Sequence, residues 1–167
     1  MTENKMDQDS TSFHEWIVAL IVLLFFLGSM LHTLREHNSN YSGFLRLTEE
    51  MAAKNPFLKS DPSLLNQLIL VKDSGYDGAL FYSMSFDPFI TKLNNPREYE
   101  SVVDAPVFKY RRILFVWLTH FLSFGNPSHF PKTMVYLLLF SHFVGGLLLA
   151  KTARFFRKSP YYGLLWI

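Results

Sequence analysis

The stretch that decides the fold is WIVALIVLLFFLGSMLHTL, which runs from Trp16 to Leu34. It contains no Lys, Arg, Asp or Glu. At about 1.5 Å per residue, a helix of this length crosses the roughly 30 Å hydrocarbon core of a bilayer. The segment before it is acidic rather than basic, and no small-x-small cleavage site follows it, which argues against a signal peptide. The sequence therefore predicts an uncleaved transmembrane helix at 16–34.

A second apolar segment lies near the other end of the chain. It contains YLLLFSHFVGGLLLA and is predicted to form a transmembrane helix at 133–151. Its Gly-Gly pair allows close helix packing. The segment 1–15, before the first span, is polar and is predicted to be a disordered cytoplasmic tail.

The basic residues after the second span set the predicted topology. They are Lys151, Arg154, Arg157 and Lys158. Because Lys and Arg are enriched in cytoplasmic loops, this end is predicted to face the cytoplasm. With two spans the N-terminus is then also cytoplasmic, and 35–132 is a large extracytoplasmic loop.

Within that loop, short helices are expected at two places. The stretch YSGFLRLTEEMAAKNPF has helical apolar spacing, and SDPSLLNQLILV offers Asp61 or Ser60 as an N-cap with Pro62 at the first helical position. The segment 111–125 is apolar but short, so it is predicted to be a re-entrant or interfacial helix.

The last segment, 152–167, is predicted to be a basic cytoplasmic turn followed by the start of a third helix. Ser159 and Pro160 are suited to a helix start, as cap and first helical residue. Seven further residues cannot span a bilayer, so we expect the chain to be the front part of a longer protein. The predicted fold class is thus mainly α, a helical membrane protein with two transmembrane helices.

Composition supports this class and excludes several functions. The chain has 167 residues, of which 49% are hydrophobic and 17% aromatic, and only 18% are charged. A net charge of +2 without a long basic patch argues against nucleic acid as a partner. The absence of cysteine excludes disulfides, thiolate metal sites and a Cys nucleophile.

The stretch GYDGALFYSMSFDPF, from Gly75 to Phe89, combines carboxylates with aromatic rings. Asp77 is the candidate catalytic residue, because a carboxylate near the membrane face can deprotonate an acceptor hydroxyl. Tyr76, Phe81 and Tyr82 would offer rings on which a sugar stacks. The alternative is that Asp77 caps a helix starting at Gly78 while the aromatic side chains pack on the membrane face.

Other polar residues of the loop have two interpretations each. Asp87 precedes a proline and is either a turn residue or a substrate ligand. Together with Asp77 and Asp104 it could hold a divalent cation; no other cofactor or metal is indicated. Arg111 and Arg112 would either contact a lipid phosphate or anchor the chain at the headgroups.

Three histidines raise the question of a bound haem or chlorophyll. They are His120, His129 and His142. Only His142 lies inside a predicted span, and no second histidine occupies a paired helix face, which favours a helix-packing hydrogen bond.

Three motifs, in this order, resemble the first outer loop of bacterial glycosyltransferase-like membrane proteins of the GT-C type. They are YDGALFY, DPF and DAPVFKYRRIL, and the following RKSPYYGLL is similar as well. The matched positions are Tyr76, Asp77, Gly78, Phe81 and Tyr82; Asp87, Pro88 and Phe89; and Tyr110, Arg111, Arg112, Ile113 and Leu114.

The resemblance implies an enzyme that transfers a sugar from a polyprenyl-phosphate carrier at the outer face of the bacterial inner membrane. In that family a carboxylate of the first outer loop is catalytic, and the matching position is Asp77. Tyr76, Phe81, Tyr82, Asp87, Arg111 and Arg112 would then bind substrate. The family has about eight or more spans, and its carrier cavity is built from later helices, so the resemblance implies that this chain is inactive alone.

Two other hypotheses stand beside this one. The chain could be a small membrane subunit that docks on other subunits of a larger membrane complex, or a remnant of a broken reading frame. The expected partners are membrane lipid in every case, and the lipid-linked sugar donor or other membrane subunits according to the hypothesis.

Overall fold

The structure is a computed structural model that describes residues 3–72, 75, 77–92, 99–100, 102–103 and 113–166. The described chain is mainly helical. Its α-helices are α1 (Glu3–Glu36), α2 (Glu49–Lys54), α3 (Pro56–Lys59), α4 (Pro62–Leu65), α5 (Asp77–Ser85), α6 (Ile113–Leu122) and α7 (Phe130–Phe155). Three 3₁₀ helices cover Tyr41–Leu45, Pro127–His129 and Pro160–Trp166, and two short strands are β1 (Leu47–Thr48) and β2 (Leu70–Val71).

Two segments are long and apolar enough to cross a membrane. They are Phe13–Glu36, within α1, and Pro127–Phe155, which contains α7. Only 28% of each apolar window is buried, so most of these side chains face outward. An apolar surface of this extent is suited to lipid rather than to water. The two apolar helices predicted at 16–34 and 133–151 are therefore present, and each helix is longer than predicted.

The polar segment 1–15 differs from its prediction. The expectation of disorder was wrong for the described residues, because α1 begins at Glu3. No glycine or proline interrupts 3–15, so no helix-breaking residue stands before the apolar segment.

The chain divides into two compact units, and each is described by itself. Unit 1 comprises 1–32 and 138–167. Here α1 and α7 run antiparallel, since Glu15 near the start of the first apolar segment lies 3.0 Å from Arg154 at the end of the second. Between them, Gly146 lies so close to Val22 that a Cβ atom on the glycine would be 3.0 Å from a Val22 methyl carbon. The predicted use of the Gly-Gly pair in helix packing is confirmed for Gly146.

The last segment of unit 1 forms a 3₁₀ helix, not the predicted start of a third α-helix. Ser159 does cap it, accepting the N–H of Tyr161 at 3.4 Å. Gly163 packs against Val18 and Ala150, where a Cβ atom would lie 2.8 Å and 3.0 Å from their nearest atoms. This tertiary contact, invisible in the local sequence, holds the segment against both long helices.

Unit 2 covers 33–137. The short helix predicted in its first stretch is present as two pieces, the 3₁₀ helix Tyr41–Leu45 and α2, because Arg46 between them adopts a left-handed conformation (φ 49°, ψ 48°) that ends the 3₁₀ helix. β1 follows and pairs in parallel with β2, Leu47 with Leu70 and Thr48 with Val71. The predicted cap is confirmed: Asp61 accepts the N–H groups of Ser63 and Leu64, with Pro62 at the first position of α4.

α5 is the central helix of unit 2. It is buried on nearly every side, as expected of a helix that is apolar all round. One core cluster contains Tyr82 of α5 with Phe86 and Phe130, and the second contains Met84 with Val103 and Val116. Phe81 packs against both clusters. The polar residues that flank α5 are thus held by a rigid apolar element.

Candidate functional site

Asp77 is the first residue of α5, and its side chain is exposed. This position lies outside both apolar segments that could cross a membrane. A carboxylate in the first turn of a helix is stabilised by the positive end of the helix dipole. Both predictions for Asp77 therefore remain compatible with its place: a carboxylate that reaches solvent, and a residue at a helix start.

Two glycines fix the backbone on either side of Asp77. A Cβ atom on Gly78 would lie 3.2 Å from the Leu45 carbonyl oxygen and 3.3 Å from that of Phe44. A Cβ atom on Gly75 would lie 2.8 Å from the Met51 sulfur. Neither glycine has a left-handed backbone. Glycine is therefore favoured at both positions because neighbouring atoms leave little room for a Cβ atom, and not because of its conformational freedom. The start of α5 is thus pressed onto the segment 44–51.

A surface cavity of about 670 Å³ has Gly75, two residues before Asp77 in the sequence, in its wall, and Asp77 is not among its described lining residues. Its volume is within the range of small-molecule sites. Glu50, another lining residue, pairs with Lys54 at 2.5 Å, and this hydrogen bond together with the lysine charge lowers the pKa of Glu50. Lys72 also lines the cavity, so both signs of charge are present.

Phe81 and Tyr82 do not occupy the sugar-stacking positions expected of them. Tyr82 is fully buried, with its ring 5.2 Å from that of Phe86 and 6.1 Å from that of Phe130. Burial, with the charge of Asp61 adding to it, raises the pKa of Tyr82 well above its usual range. Phe81 is half-buried, with its ring 5.6 Å from that of Phe115. The period of a helix turns these side chains into the core, so they hold α5 in place.

Asp87 also differs from the predicted substrate ligand, because only 1% of it is exposed. One carboxylate oxygen accepts the N–H and the hydroxyl of Thr91, at 2.9 Å and 3.3 Å. The other accepts the N–H of Lys92 at 2.6 Å and the hydroxyl of Tyr99. Burial alone would raise the pKa of Asp87, but these hydrogen bonds outweigh it and lower the pKa. Asp87 therefore stabilises the turn after α5 through these hydrogen bonds, which agrees with the alternative prediction that it is a turn residue.

The two carboxylates lie at opposite ends of α5. From Asp77 to Ser85 the helix rises about 12 Å, at about 1.5 Å per residue. Ligands of one cation must each lie within about 2.6 Å of it. Asp77 and Asp87 are therefore too far apart in this structure to be ligands of one cation, and Asp104, the third suggested ligand, lies outside the described residues. Among the described residues, no group of three His, Asp or Glu side chains is arranged to hold a metal ion.

Two residues of α6 fix the far end of α5, and these particular contacts were not predicted from the sequence. Trp117 of α6 donates its ring N–H to the Pro88 carbonyl oxygen at 3.0 Å. His120 of α6 has its Nδ1 atom 2.8 Å from the Ser85 carbonyl oxygen, which engages this histidine in helix packing rather than in cofactor binding. In the sequence, the one indication of a shared role is that Trp117 and His120 are three positions apart, which places both side chains on one face of a helix.

The remaining predicted residues divide into two groups. Tyr76, Asp104, Arg111 and Arg112 lie outside the described residues. His142, in the second apolar segment, has its Nδ1 atom 2.7 Å from the Leu138 carbonyl oxygen of its own helix and its ring 3.7 Å from that of Phe26. This arrangement agrees with the packing role predicted for His142.

Comparison with protein-family models, with curated proteins and with solved structures finds no match for this chain. The likeness to GT-C-type proteins therefore rests on the three sequence motifs alone.

Proposed function

We propose that the chain is part of a membrane-bound glycosyltransferase of the GT-C type, with Asp77 as its catalytic carboxylate. The supporting observation is the place of Asp77, exposed in the first turn of a helix whose start is fixed by two close-packed glycines. A catalytic base has to reach solvent or substrate and has to be held in one position. Of the predicted residues that the structure describes, Asp77 meets both conditions, whereas Tyr82 and Asp87 are buried.

In the proposed reaction the donor is a polyprenyl-phosphate sugar and the acceptor carries a hydroxyl group. Asp77 accepts the hydroxyl proton as the acceptor oxygen bonds to the anomeric carbon of the sugar. The bond from that carbon to the phosphate oxygen breaks, and the polyprenyl phosphate leaves with the electron pair. The cavity beside Gly75 would admit a sugar ring by its volume.

The proposed setting is the bacterial inner membrane, with 35–132 on its outer face. The two long apolar helices support a membrane location, and the basic residues after α7 support the orientation. Tyr76, Arg111 and Arg112 stay predicted contacts for the sugar and the lipid phosphate.

A transfer assay tests the proposal. Membranes that contain the full natural protein are supplied with polyprenyl-phosphate donors carrying radiolabelled hexose, hexosamine or pentose, and label in the acceptor fraction is counted. We expect Asp77→Asn to lower transfer about 100-fold or more, as is typical when a general base is lost. The control is Glu100→Gln, which removes another exposed carboxylate of unit 2 and should leave transfer unchanged.

Each negative outcome has a distinct meaning. Transfer that survives Asp77→Asn would remove Asp77 from the mechanism. No transfer from any donor would contradict the enzyme, and a stable complex after extraction in mild detergent would then favour the alternative, a subunit of a larger membrane assembly.

A further inference from the structure

A second cavity, of about 330 Å³, lies in unit 2 away from Asp77. Its walls come from the turn after α1, the first 3₁₀ helix, α4 with the segment after it, and the 3₁₀ turn with the start of α7. Polar side chains line much of it, among them Asn38, Asn40, Gln67 and Ser128. Its volume is within the range of sites that hold a small ligand or a headgroup.

The walls of this cavity are held by hydrogen bonds. Asn40 donates its side-chain N–H to the Gln67 carbonyl oxygen at 2.9 Å and accepts the N–H of Ser42 at 3.0 Å. Ser42 in turn accepts the N–H of Ile69 at 2.8 Å. These bonds connect segments 27 residues apart, so the cavity is a feature of the fold and not of one loop.

The cavity carries positive charge. Among the described residues that line it, Lys132 is the one charged side chain and none carries a carboxylate. The Lys132 ammonium lies 6.0 Å from the centre of the Tyr41 ring and 5.9 Å from that of Tyr136. The Tyr41 and Tyr136 hydroxyl oxygens are 3.1 Å apart, which keeps the two rings together. A cation held over aromatic rings is oriented by them but keeps its charge, so an anion is the ligand that the cavity favours.

The place of the cavity in the chain indicates the source of that anion. Pro127, Ser128, Pro131 and Lys132 line it, and they stand at the beginning of the apolar segment Pro127–Phe155. A segment that crosses a bilayer has its ends at the headgroups, where Tyr and Lys side chains are commonly found. A phosphate at this level belongs to a membrane lipid.

We propose that this cavity binds the phosphate group of an anionic phospholipid, with Lys132 as the charged contact. Tyr41 positions the ammonium, and the amide and hydroxyl groups of the walls offer further hydrogen-bond donors. Among the described residues, this cavity shares none with the cavity that Gly75 lines, so its test is independent of the proposed enzyme.

The test is lipid binding to the purified full chain in mild detergent, read by native mass spectrometry and by the shift in unfolding temperature. The probes are dioleoylphosphatidylglycerol, dioleoylglycerol with the same tails and no phosphate, and inorganic phosphate. We expect the phospholipid to bind and to raise the unfolding temperature, and dioleoylglycerol to do neither.

Variants identify the site. Lys132→Gln should weaken phosphatidylglycerol binding about tenfold, the loss typical of a hydrogen bond to a charged group. Lys132→Arg keeps the charge and should keep the affinity. Lys59→Gln removes an exposed lysine of α3 outside the cavity and should bind as the unaltered protein does.

Four results would overturn the proposal. Equal binding of the phospholipid and dioleoylglycerol would show that the tails alone are recognised. Unchanged phospholipid binding by Lys132→Gln, or a loss in Lys132→Gln that Lys132→Arg shares, would remove the assigned contact. Inorganic phosphate that binds at Lys132 when the phospholipid does not would assign the cavity to a free anion.

Discussion

Gly78 and Leu45 are in such close contact that a Cβ atom on the glycine would lie 3.2 Å from the leucine carbonyl oxygen. The contact joins the start of α5 to the end of the first 3₁₀ helix. Since Asp77 directly precedes Gly78, the same contact determines where the proposed catalytic carboxylate stands.

Replacement of this glycine tests the contact. Gly78→Ala should lower the free energy of unfolding by roughly 1–3 kcal/mol, as overpacking does, because the atoms that crowd the new methyl group belong to the backbone. Thermal or denaturant unfolding in detergent measures this. Gly28→Ala in α1 is the matched control, since no heavy atom lies within 4 Å of its added Cβ. An equal effect of both substitutions would contradict the packing argument.

Asp87 predicts a dependence of stability on pH. Its pKa is lowered in the folded protein, so the unfolded chain, with a pKa of about 3.9, binds the proton more readily. The stabilisation is complete above that unfolded pKa and is lost as the pH falls through the folded pKa. Unfolding measured from pH 7 to pH 3 should therefore show a steeper acid decline in the unaltered protein than in Asp87→Asn.

At neutral pH, Asp87→Asn should lower the free energy of unfolding by about 1–3 kcal/mol. The reason is that an amide has one acceptor oxygen, whereas both carboxylate oxygens accept hydrogen bonds from Thr91, Lys92 and Tyr99. Glu100→Gln, which removes an exposed carboxylate, is the control and should leave the free energy of unfolding at neutral pH close to that of the unaltered protein. Parallel pH curves for the unaltered protein and Asp87→Asn would show that Asp87 does not carry the effect.

The ion pair between Glu15 and Arg154 predicts the effect of exchanging charges in unit 1. Glu15 is 3% exposed, whereas the Arg154 side chain is 40% exposed. Glu15→Arg places two cations together and should lower the free energy of unfolding by about 3 kcal/mol. This value is at the lower end of the cost of breaking a buried ion pair, because the Arg154 side chain still reaches the surface. The double exchange Glu15→Arg with Arg154→Glu should recover a large part of the loss. Additive losses in the double variant would mean that the pair does not couple the helices.

The exposed apolar side chains of α6 and of the turn after it predict contact with lipid. Leu114 is 66% exposed, Phe121 56% and the following Phe124 95%, whereas Val116 and Thr119 are fully buried. An apolar face of this kind is typical of a helix that lies in the membrane interface. With Trp16→Phe and Trp166→Phe, Trp117 is the sole tryptophan, and lipids brominated near the top of the acyl chain should quench its fluorescence.

The control for that experiment is a water-soluble quencher. Acrylamide should quench Trp117 weakly in the reconstituted protein. Strong quenching by acrylamide with none by brominated lipid would place α6 in water and contradict the interfacial assignment.

Local patterns in the sequence were sufficient for the long helices and for several caps. The apolar segment from Trp16 to Leu34 identifies a long apolar helix because hydropathy is a sum over its own residues. Asp61 with Pro62 identifies a helix start because the cap hydrogen bonds join residues two and three positions apart. Such features need no knowledge of the rest of the chain.

Tertiary structure alone decided which polar and aromatic side chains reach the surface. Asp77 and Asp87 are both acidic residues beside aromatic ones, yet the first is exposed and the second is buried. Tyr82 matches a motif position but packs against Phe130, which is 48 residues further along the chain. Burial and hydrogen bonding of this kind depend on partners distant in sequence, such as Tyr99 for Asp87 and Leu45 for Gly78, and only the folded chain brings those partners together.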